Sequence, residues 1–308
     1  METLYITSPA CRRHEMGSWH PECPERLDAI NDHLLSSGIM TFLDVRDGPP
    51  AATEAEILRV HSAEYLAYLK NLSPASGYAA IDGDTSMNPH TLKAAFEAAG
   101  AGIAAVNAVM AGSAQTAFCS VRPPGHHAES GRAMGFCFFN NVAVAAAHAL
   151  QHHGLARVAI VDFDVHHGNG TEEIFFDEPN VMMCSFYQHP FYPNIRRTEV
   201  RDNMVNVPVD AYTTGFDLRQ VVSDVWLPRL AAFAPQLILV SAGFDAHRED
   251  EMGQLGMTES DYAWITDQLV MLAERTAQGR IVSVLEGGYN LSALGRSAVA
   301  HIRSLSKL

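Results

Sequence analysis

Six short apolar runs, spread among longer helical patterns, constrain the fold of this chain more than any other feature. The runs span residues 3–7, 117–121, 158–164, 181–186, 237–242 and 281–286. The spacing of apolar residues predicts helices near 24–36, 90–111, 141–153, 217–233, 259–277 and 291–305. Strands that are apolar throughout and alternate with helices are typical of a parallel sheet covered on both faces. The sequence therefore predicts an α/β fold with an open, mostly parallel β-sheet and helices on both faces.

The length of the chain fits this fold without a second domain. Its 308 residues, 47% of them hydrophobic, are enough for a sizeable core in one large α/β domain or two ordinary ones. No repeat, low-complexity tract or linker-like stretch divides them. We therefore expect one catalytic domain over residues 1–308.

Charge and cysteine content narrow the class of protein. The formal net charge of −14 argues against a nucleic-acid-binding surface and mildly favours cationic partners such as lysine side chains or polyamines. The five cysteines form no CxxC pair, so free thiols in a reducing compartment are the simplest account. The N-terminus lacks a signal pattern, and no window approaches the ~20 apolar residues of a membrane span. These features predict a cytoplasmic protein without a membrane partner, and they leave a homo-oligomer open.

Polar residues collect where four of the apolar runs end. The clearest case is VAIVDFDVHHGNG, residues 158–170, in which Asp162, Asp164 and His166 stand at i, i+2 and i+4. On a strand these three side chains would point to one face. Buried carboxylates are usually paired or bound to a metal, so this run calls for a cation. The exits of parallel strands share one edge of a sheet, which predicts a single site there.

Asp164, His166 and Asp245 are the residues that we expect to bind a metal ion. Two carboxylates neutralise a divalent cation, and one imidazole suits zinc or ferrous iron. Three protein ligands leave a coordination position open, as in catalytic sites. The alternative is that Asp164 caps a turn, His166 packs in the core and Asp245 is an unrelated loop acid.

Two groups of neighbouring histidines allow different interpretations. His126 and His127 follow RPPG at a strand exit, where both rings could serve in proton transfer, although a surface pair is the simpler account of the two residues alone. His148, His152 and His153 lie at a predicted helix end with no flanking acid, and we interpret them as structural.

Aromatic residues near the strand exits could complete the site. Tyr289 follows two glycines, which would let its phenol approach a ligand and donate a hydrogen bond to a developing oxyanion. An ordinary turn tyrosine is the alternative. Aromatic residues in such positions more often pack in the hydrophobic core than line a binding channel. The other aromatic residues near these exits are Phe136, Phe138, Phe139, Phe191 and Tyr192.

Longer motifs around these residues make the chain resemble the histone deacetylase superfamily, which includes acetylpolyamine amidohydrolases and is distantly related to arginases. The motifs are HPECPERL (20–27), RPPGHH (122–127), MGFCFFNNVAVA (134–145), DFDVHHGNGT (162–171), SAGFDAHRED (241–250) and LEGGYNL (285–291). The GNGT and AHRED variants are similar to bacterial enzymes close to the class II deacetylases. The resemblance implies the arginase/deacetylase fold.

The resemblance also implies roles for single residues. The matching zinc ligands are Asp164, His166 and Asp245. His127 matches the general base that later acts as acid, and His126 is its electrostatic partner. Asp162 matches the acid that contacts the first histidine, and Asn169 stands where the second has its partner. Tyr289 matches the tyrosine that polarises the carbonyl.

Two further sets of residues follow from the same resemblance. The family holds a structural potassium ion behind the zinc, and the matching shell is Asp162, Asp164, His166, Ser185 and Phe186. Gly135 and Phe136 match one wall of the acyl-lysine tunnel, and Tyr192 falls on the opposite wall.

Departures from related patterns sharpen these expectations. Arginase-like relatives hold two metal ions with the help of two additional aspartates. In this chain the positions of those aspartates are occupied by Gly168 and His247, so we expect a mononuclear site. After PFYP the family often has a glycine-containing turn, but residues 194–203 read NIRRTEVRDN. This loop is expected to border the tunnel mouth, which leaves substrate choice open.

Three functions are consistent with these residues. The first is zinc-dependent removal of acetyl or another acyl group from lysine side chains of proteins or peptides. The second is hydrolysis of acetylpolyamines, whose enzymes often carry an extra loop for which 308 residues leave little room. The third is an acyl-lysine-binding protein without activity, although such a protein should have lost a metal ligand or the tyrosine.

Overall fold

An eight-stranded parallel sheet forms the centre of the computed structural model, which describes residues 2–195 and 197–308. The strands in the described residues are β1 (Thr3–Thr7), β2 (Leu43–Asp47), β3 (Ala79–Ala80), β4 (Ser86–Met87), β5 (Thr116–Ser120), β6 (Val158–Asp162), β7 (Val181–Gln188), β8 (Met204–Val209), β9 (Leu237–Ala242) and β10 (Ile281–Leu285). The sheet has the order β2-β1-β5-β10-β9-β6-β7-β8, and all its neighbours pair in parallel. The short strands β3 and β4 form a separate antiparallel pair.

Helices connect these strands. The α-helices in the described residues are α1 (Glu25–Ser36), α2 (Glu54–Ile57), α3 (Ala63–Leu72), α4 (Thr91–Met110), α5 (Asn141–Gln151), α6 (Asn169–Phe175), α7 (Gly215–Val221), α8 (Leu227–Phe233), α9 (Glu259–Thr276) and α10 (Leu291–Ser306). A π-helical turn over Val222–Trp226 joins α7 to α8. Asparagine side chains cap α5 and α10, because Asn140 and Asn290 accept hydrogen bonds from backbone N–H groups in the first turn.

The helices pack in layers around the sheet. Helices α4 and α5 pack on each other, α4 against β1, β5 and β10, and α5 against β6 and β9. Helix α10 packs between α1 and α9. Helix α10 also contacts β5, and α9 contacts β9. The predicted fold class, an open parallel sheet with helices on both faces, is confirmed.

Helix α4 corrects one expectation. It is 20 residues long, and its length and composition are sufficient to cross a membrane, although we expected no such window. However, 67% of its most apolar window is buried inside the protein. Small side chains such as Ala98, Ala99 and Ala105 allow α4 to lie close to its neighbours, so its apolar character reflects core packing.

The two strands of the eight-stranded sheet that were not predicted, β2 and β8, lie at its edges. Strands β2 and β8 are partly exposed, so their sequences, LDVRD and MVNVPV, lack a continuous apolar run. The run at 158–164 also proved shorter than predicted, because β6 ends at Asp162.

Strand order explains why polar residues from distant motifs meet. Strands β5, β10, β9 and β6 are consecutive neighbours at the centre of the sheet. These are the four strands whose exits carry the polar motifs. Because they run in parallel, their carboxyl ends place those motifs side by side along one edge.

Candidate active site

Turn geometry aims the side chains that follow β6. Asp164 and His166 lie beyond the end of the strand, so the expected strand alternation does not orient them. Instead, the Asp164 backbone N–H donates to Asp162 Oδ1 at 3.1 Å, and the His166 N–H donates to Asp164 Oδ1 at 2.9 Å. Aspartate side chains favour such bonds to the backbone two residues ahead. Successive bonds of this kind turn both side chains toward the loop after β9.

Asp164, His166 and Asp245 form a buried cluster between the β6 and β9 exits. One possible ligand atom from each residue lies within 4.8 Å of those of the other two. His166 Nδ1 is 3.0 Å from Asp164 Oδ1 and 3.1 Å from Asp245 Oδ2. Asp245 Oδ2 is buried, and it has no hydrogen-bond partner among the residues that the structure describes. An unsatisfied carboxylate oxygen facing an imidazole nitrogen fits a divalent metal ion at this point.

The loop after β10 closes over this cluster. Gly287 donates its backbone N–H to Asp164 Oδ2 at 2.9 Å. A Cβ atom at Gly287 would lie 2.1 Å from Asp245 Oδ2 and 2.6 Å from Asp164 Oδ2. Only glycine allows the backbone to approach both carboxylates this closely.

The electrostatics of the cluster favour positive charge. Burial alone would lower the pKa of His166, but the adjacent carboxylates of Asp164 and Asp245 raise it to about 10. Burial and the charge of Asp164 raise the pKa of Asp245 to about 7. For Asp164, His126 and His166 outweigh burial and hold the pKa below its usual range. The protein therefore surrounds this point with groups that bind a cation.

The tandem histidines after β5 have different partners. His126 Nδ1 is 2.9 Å from Asp162 Oδ2, whereas His127 Nδ1 is 2.8 Å from Asn169 Oδ1. The two ring centroids are 4.1 Å apart. Both pairings that the resemblance implied are present in the structure.

These partners move the two pKa values in opposite directions. Burial opposes a charge on His126, but Asp164 and Asp162 raise its pKa well above the usual value. Burial and the charges of His126 and His166 lower the pKa of His127 well below its usual value. A neutral imidazole that can accept a proton thus lies beside one that retains its proton.

A cavity of about 220 Å³ leads to these groups. Its lining includes His127, His166 and Tyr289, together with walls formed by Phe136 and Tyr192. It therefore joins the metal-ligand cluster, the tandem histidines and the tyrosine in one space.

Gly135 determines how closely the cavity wall approaches the histidines. It adopts a φ of 55°, and a Cβ there would lie 2.4 Å from His127 Cδ2 and 3.0 Å from the Tyr192 hydroxyl oxygen. Phe136, which follows, also has a positive φ of 68°. The left-handed backbone directs Phe136 into the cavity wall, where its ring centroid is 5.9 Å from that of Tyr289.

The aromatic residues near the strand exits divide between core and cavity. Phe138 and Phe139 are fully buried core residues. Phe136, Phe191 and Tyr192 line the cavity instead. The aromatic pattern alone favoured core positions for all five, whereas the resemblance implied tunnel walls at Phe136 and Tyr192. The separation depends on loop conformations that the pattern does not encode.

A buried acid and a buried base fix the loop of Tyr289. Asp250 Oδ2 accepts hydrogen bonds from the backbone N–H groups of Tyr289 at 2.6 Å and Asn290 at 2.9 Å. Arg26 donates from Nε to the Gly288 carbonyl at 2.6 Å, and its guanidinium lies 4.9 Å from the centre of the Tyr289 ring. Burial raises the pKa of Tyr289 well above its usual value, so its hydroxyl remains a donor.

Sequence analysis did not identify the charged network beneath this loop. Glu22 accepts from Arg26 Nη1 at 3.0 Å and from Arg122 Nη2 at 2.6 Å, and all three side chains are fully buried. Although burial opposes its charge, Arg122 and Arg26 hold the pKa of Glu22 below its usual range. The network links the loops after β5 and β10, and charged residues inside the HPECPERL and RPPGHH motifs were the available signal.

Glu286 is a second residue that the sequence analysis did not identify. Its Oε2 accepts from the backbone N–H groups of Gly125 at 2.6 Å and His126 at 3.0 Å. Its Oε1 accepts from the Ser241 hydroxyl at 3.1 Å. Burial raises its pKa to about 7. Glu286 therefore joins the β5, β9 and β10 exits and positions the tandem histidines.

Two of the five residues matched to a potassium shell, Ser185 and Phe186, lie on the neighbouring strand β7. Ser185 is the register partner of Asp162, and its hydroxyl donates to Asn206 Oδ1 at 2.8 Å. Phe186 stacks on Trp226 with ring centroids 5.1 Å apart. The structure thus brings Ser185 and Phe186 beside the β6 exit, and neither residue lines the cavity.

Loop 194–203 lies outside the cavity lining in the part that the structure describes, which omits Arg196. Arg197 and Arg201 place their guanidinium groups 4.4 and 4.5 Å from the centre of the Phe176 ring. The wall on this side of the cavity comes from Phe191 and Tyr192, which precede the loop. The effect of the loop on substrate choice stays a prediction.

Comparison with known proteins identifies the family. The family model described as histone deacetylase domain matches residues 20–305. The chain belongs to the histone deacetylase family. This predicted membership is confirmed, and it supports a deacetylase activity, which makes the protein a hydrolase.

Several relatives cover nearly the whole chain. A histone deacetylase-like amidohydrolase of Pseudomonas aeruginosa is 39% identical over 300 residues, which span 93% of this chain and 77% of that protein. A polyamine deacetylase of Homo sapiens is 38% identical over 306 residues, 92% of this chain and 45% of that protein. The crystal structure of the HDA15 HD domain superposes with a TM-score of 0.92 at 34% identity, covering 99% of this chain and 90% of that one.

Proposed function

We propose that the protein is a zinc-dependent amidohydrolase that removes an acetyl or other acyl group from the side chain of lysine in proteins or peptides. One observation carries this proposal. His166 belongs both to the buried cluster with Asp164 and Asp245 and to the wall of a cavity that also contains His127 and Tyr289. One of the three proposed metal ligands therefore shares a space with the proposed proton acceptor and the proposed oxyanion donor, which supports amide hydrolysis.

Asp164, His166 and Asp245 would hold the metal ion. Two carboxylates and one imidazole suit zinc, and ferrous iron is the alternative in the cell. When bound, the ion supplies Lewis-acid polarisation of the amide carbonyl and lowers the pKa of water from 15.7 toward about 7. Position 168 is a glycine and position 247 is a histidine, so neither position offers the additional acid of a binuclear site.

His127 would transfer the proton. Its Nδ1 is engaged with Asn169, so Nε2 is the nitrogen that is available on the cavity side of the ring. The low pKa of the ring keeps it neutral and able to accept a proton from the attacking water. The same nitrogen would then return the proton to the departing amine. Asn169 and, for the neighbouring ring, Asp162 hold the orientation of the histidines.

Tyr289 would stabilise the developing oxyanion. Its phenol remains protonated because burial raises its pKa, and its backbone is fixed by Asp250. A preorganised donor of this kind typically contributes about 10²–10³ to turnover.

The test uses a fluorogenic acetyl-lysine peptide. We expect Tyr289→Phe to lose about 10²–10³ in kcat while folding and metal content remain unchanged, because only the hydroxyl is removed. Tyr212→Phe, at an exposed tyrosine that does not line the cavity, is the matched control and should keep full activity. Retention of most of the rate by Tyr289→Phe would disprove the assigned role.

Metal dependence is tested by chelation. Treatment with a chelator should abolish acetate release, and zinc or ferrous iron should restore it. Binding of an acetyl-lysine peptide without any acetate release, before and after metal is added, would support instead a protein that recognises acyl-lysine without hydrolysis.

A second candidate is the hydrolysis of acetylpolyamines. Two carboxylates, Asp84 and Glu251, line the cavity and would attract a second cationic amine. One relative is named a polyamine deacetylase, which supports this alternative. We expect Glu251→Gln to raise KM for an acetylated polyamine more than for an uncharged acetyl-lysine peptide. Equal effects on both substrates would favour the peptide deacylase.

We also propose a structural potassium ion at Asp162, Asp164, His166, Ser185 and Phe186. The pairing of Ser185 with Asp162 supports it, since it places these two residues side by side on neighbouring strands. Replacing potassium by a large organic cation should lower the temperature of unfolding. An unchanged unfolding temperature would count against a bound potassium ion.

A further inference from the structure

A second group of histidines lies at the C-terminal end of α5, the end away from the active site. His148 is in the last turn of α5, and His152 and His153 follow the helix directly. One ring nitrogen from each lies within 4.8 Å of one from each of the others. We propose that this histidine cluster, with Asn107, is a second site for a divalent transition metal ion such as Ni²⁺ or Zn²⁺.

Helix α5 separates this cluster from the active site. Its N-terminal cap, Asn140, donates from its side chain to the Ala128 carbonyl in the loop of the catalytic histidines. The helix then runs for 11 residues, or about 16 Å, before it reaches the cluster. A metal ion at the cluster would therefore not share ligands with the cluster of Asp164.

The side chain of Asn107 defines the centre of the proposed site. Its Oδ1 is 2.8 Å from His148 Nε2 and 2.7 Å from His153 Nε2. Two ring nitrogens from different turns thus converge on one oxygen atom. Three imidazole nitrogens and this oxygen would provide four ligands of the types that zinc and nickel accept.

The rings are already in contact. The ring centroids of His148 and His152 are 4.7 Å apart, and those of His152 and His153 are 4.9 Å apart. His152 is exposed, so its ring can rotate toward a metal ion without disturbing the core. Only small side-chain movements would complete the coordination.

The charges around the cluster suit a cation of moderate affinity. Burial lowers the pKa of His148 to about 4 and also lowers that of His153, so both imidazoles are neutral at pH 7, as ligands must be. The cluster lies at the C-terminal end of α5, where the helix dipole favours positive charge. Arg59 opposes it, since its Nη1 is 3.1 Å from His148 Nδ1. We therefore expect weaker binding than at the catalytic cluster.

Glu56 corrects the expectation that no acid flanks these histidines. Its Oε1 lies 3.8 Å from His148 Nδ1, on the edge of the ring away from Asn107. When a metal ion occupies Nε2, the ring proton must move to Nδ1, which here accepts from Arg59 Nη1. Arg59 would therefore have to turn away, and Glu56 would have to approach Nδ1 to accept a hydrogen bond from it. Metal-binding histidines commonly have such a partner for their second nitrogen.

Calorimetric titration of Ni²⁺ into the tag-free enzyme, loaded with one equivalent of zinc per chain for the catalytic cluster, tests the proposal. The wild-type protein should bind one equivalent of Ni²⁺ that the double variant His152→Ala/His153→Ala does not bind. His33→Ala, at a half-buried histidine whose Nδ1 bonds to the Ala29 carbonyl of its own helix, is the matched control and should keep that equivalent. Deacetylation without added Ni²⁺ should be unchanged in both variants.

Two further measurements keep the test decisive. Ni²⁺ should raise the unfolding temperature of the wild-type protein but not of His152→Ala/His153→Ala, because a ligand stabilises only the state that binds it. The single variant Asn107→Ala should weaken the affinity at least tenfold. The proposal is overturned if the wild-type protein takes up no additional Ni²⁺, or if the double variant binds it as tightly as the wild type.

Discussion

Two histidine pairs with the same local sequence, 126–127 and 152–153, behave differently in the folded protein. The rings of His126 and His127 are buried and lie 4.1 Å apart, and one has an aspartate partner while the other has an asparagine. The ring centroids of His152 and His153 are 4.9 Å apart, beyond the C-terminal end of α5, and His153 has the side-chain amide of Asn107 as its partner. A dipeptide motif therefore indicates potential chemistry, but the partners that the fold supplies decide the charge.

The difference in partners also explains the difference in exposed fraction. His126 and His127 can be buried because their polar groups have hydrogen-bond partners. Asp162 and Asn169 are the partners of the two rings, and Glu286 accepts from the His126 backbone N–H. The second pair has few such partners and remains partly exposed. We infer that the first pair is specialised for proton transfer and the second for ligation.

The largest effect that could break this comparison is on turnover. We expect His127→Ala to lower kcat by about 10²–10⁴, because it removes the group that accepts and returns the proton. His153→Ala should leave kcat unchanged. Both variants are measured with the acetyl-lysine peptide at saturating substrate, and metal content is checked in each. Equal losses in the two variants would contradict the separation of roles.

The partner of His126 provides a smaller effect. We expect Asp162→Asn to lower activity about 10-fold to 100-fold, since it removes the carboxylate that orients the ring and favours its charged form. Asn107→Ala removes the partner of His153 and should leave deacetylation intact. The ratio of kcat values for the two variants checks the prediction. Activity of Asp162→Asn close to wild type would show that an uncharged side chain of the same shape positions His126 well enough for catalysis.

A third histidine sharpens the comparison through the pH dependence of stability. His61 has neutral partners on both sides, with Nδ1 3.0 Å from the Glu129 carbonyl and Nε2 accepting from the Asn140 N–H at 2.9 Å. Burial lowers its pKa to about 4, below the value of about 6.5 in the unfolded chain. The unfolded state therefore binds the additional proton between these values.

The sign of the effect follows from that difference. The contribution of His61 to stability is complete above pH 6.5 and is lost as pH falls toward 4. Between pH 7 and pH 4.5 it should amount to about 2 kcal/mol in the free energy of unfolding. Urea unfolding of the wild type and His61→Gln at both pH values checks this. The prediction is wrong if the two proteins lose stability equally over this interval.

The smallest expected effect is at the exposed member of the second pair. His152→Ala should change the free energy of unfolding by less than about 0.5 kcal/mol in metal-free buffer, because the side chain is exposed. Urea unfolding without added metal provides the measurement. A larger loss would show that the cluster is part of the hydrophobic core and not a surface site.

The sequence by itself determined the central sheet and the location of the site. Apolar runs such as 237–242 and 281–286 predict buried parallel strands because a strand covered on both faces has no polar side. Asp164, His166 and Asp245 could be selected because charged residues at strand exits need a compensating partner. The fold class and the family are confirmed, and the roles of these residues stay predictions that the geometry supports.

Only the tertiary structure decided the environment of each group. Strands β2 and β8, the Glu22 network and the position of Glu286 depend on contacts between residues that are distant in sequence. The same is true of the opposite pKa shifts of His126 and His127. Burial and hydrogen-bond partners set these properties, and both arise from long-range packing that a local pattern does not contain.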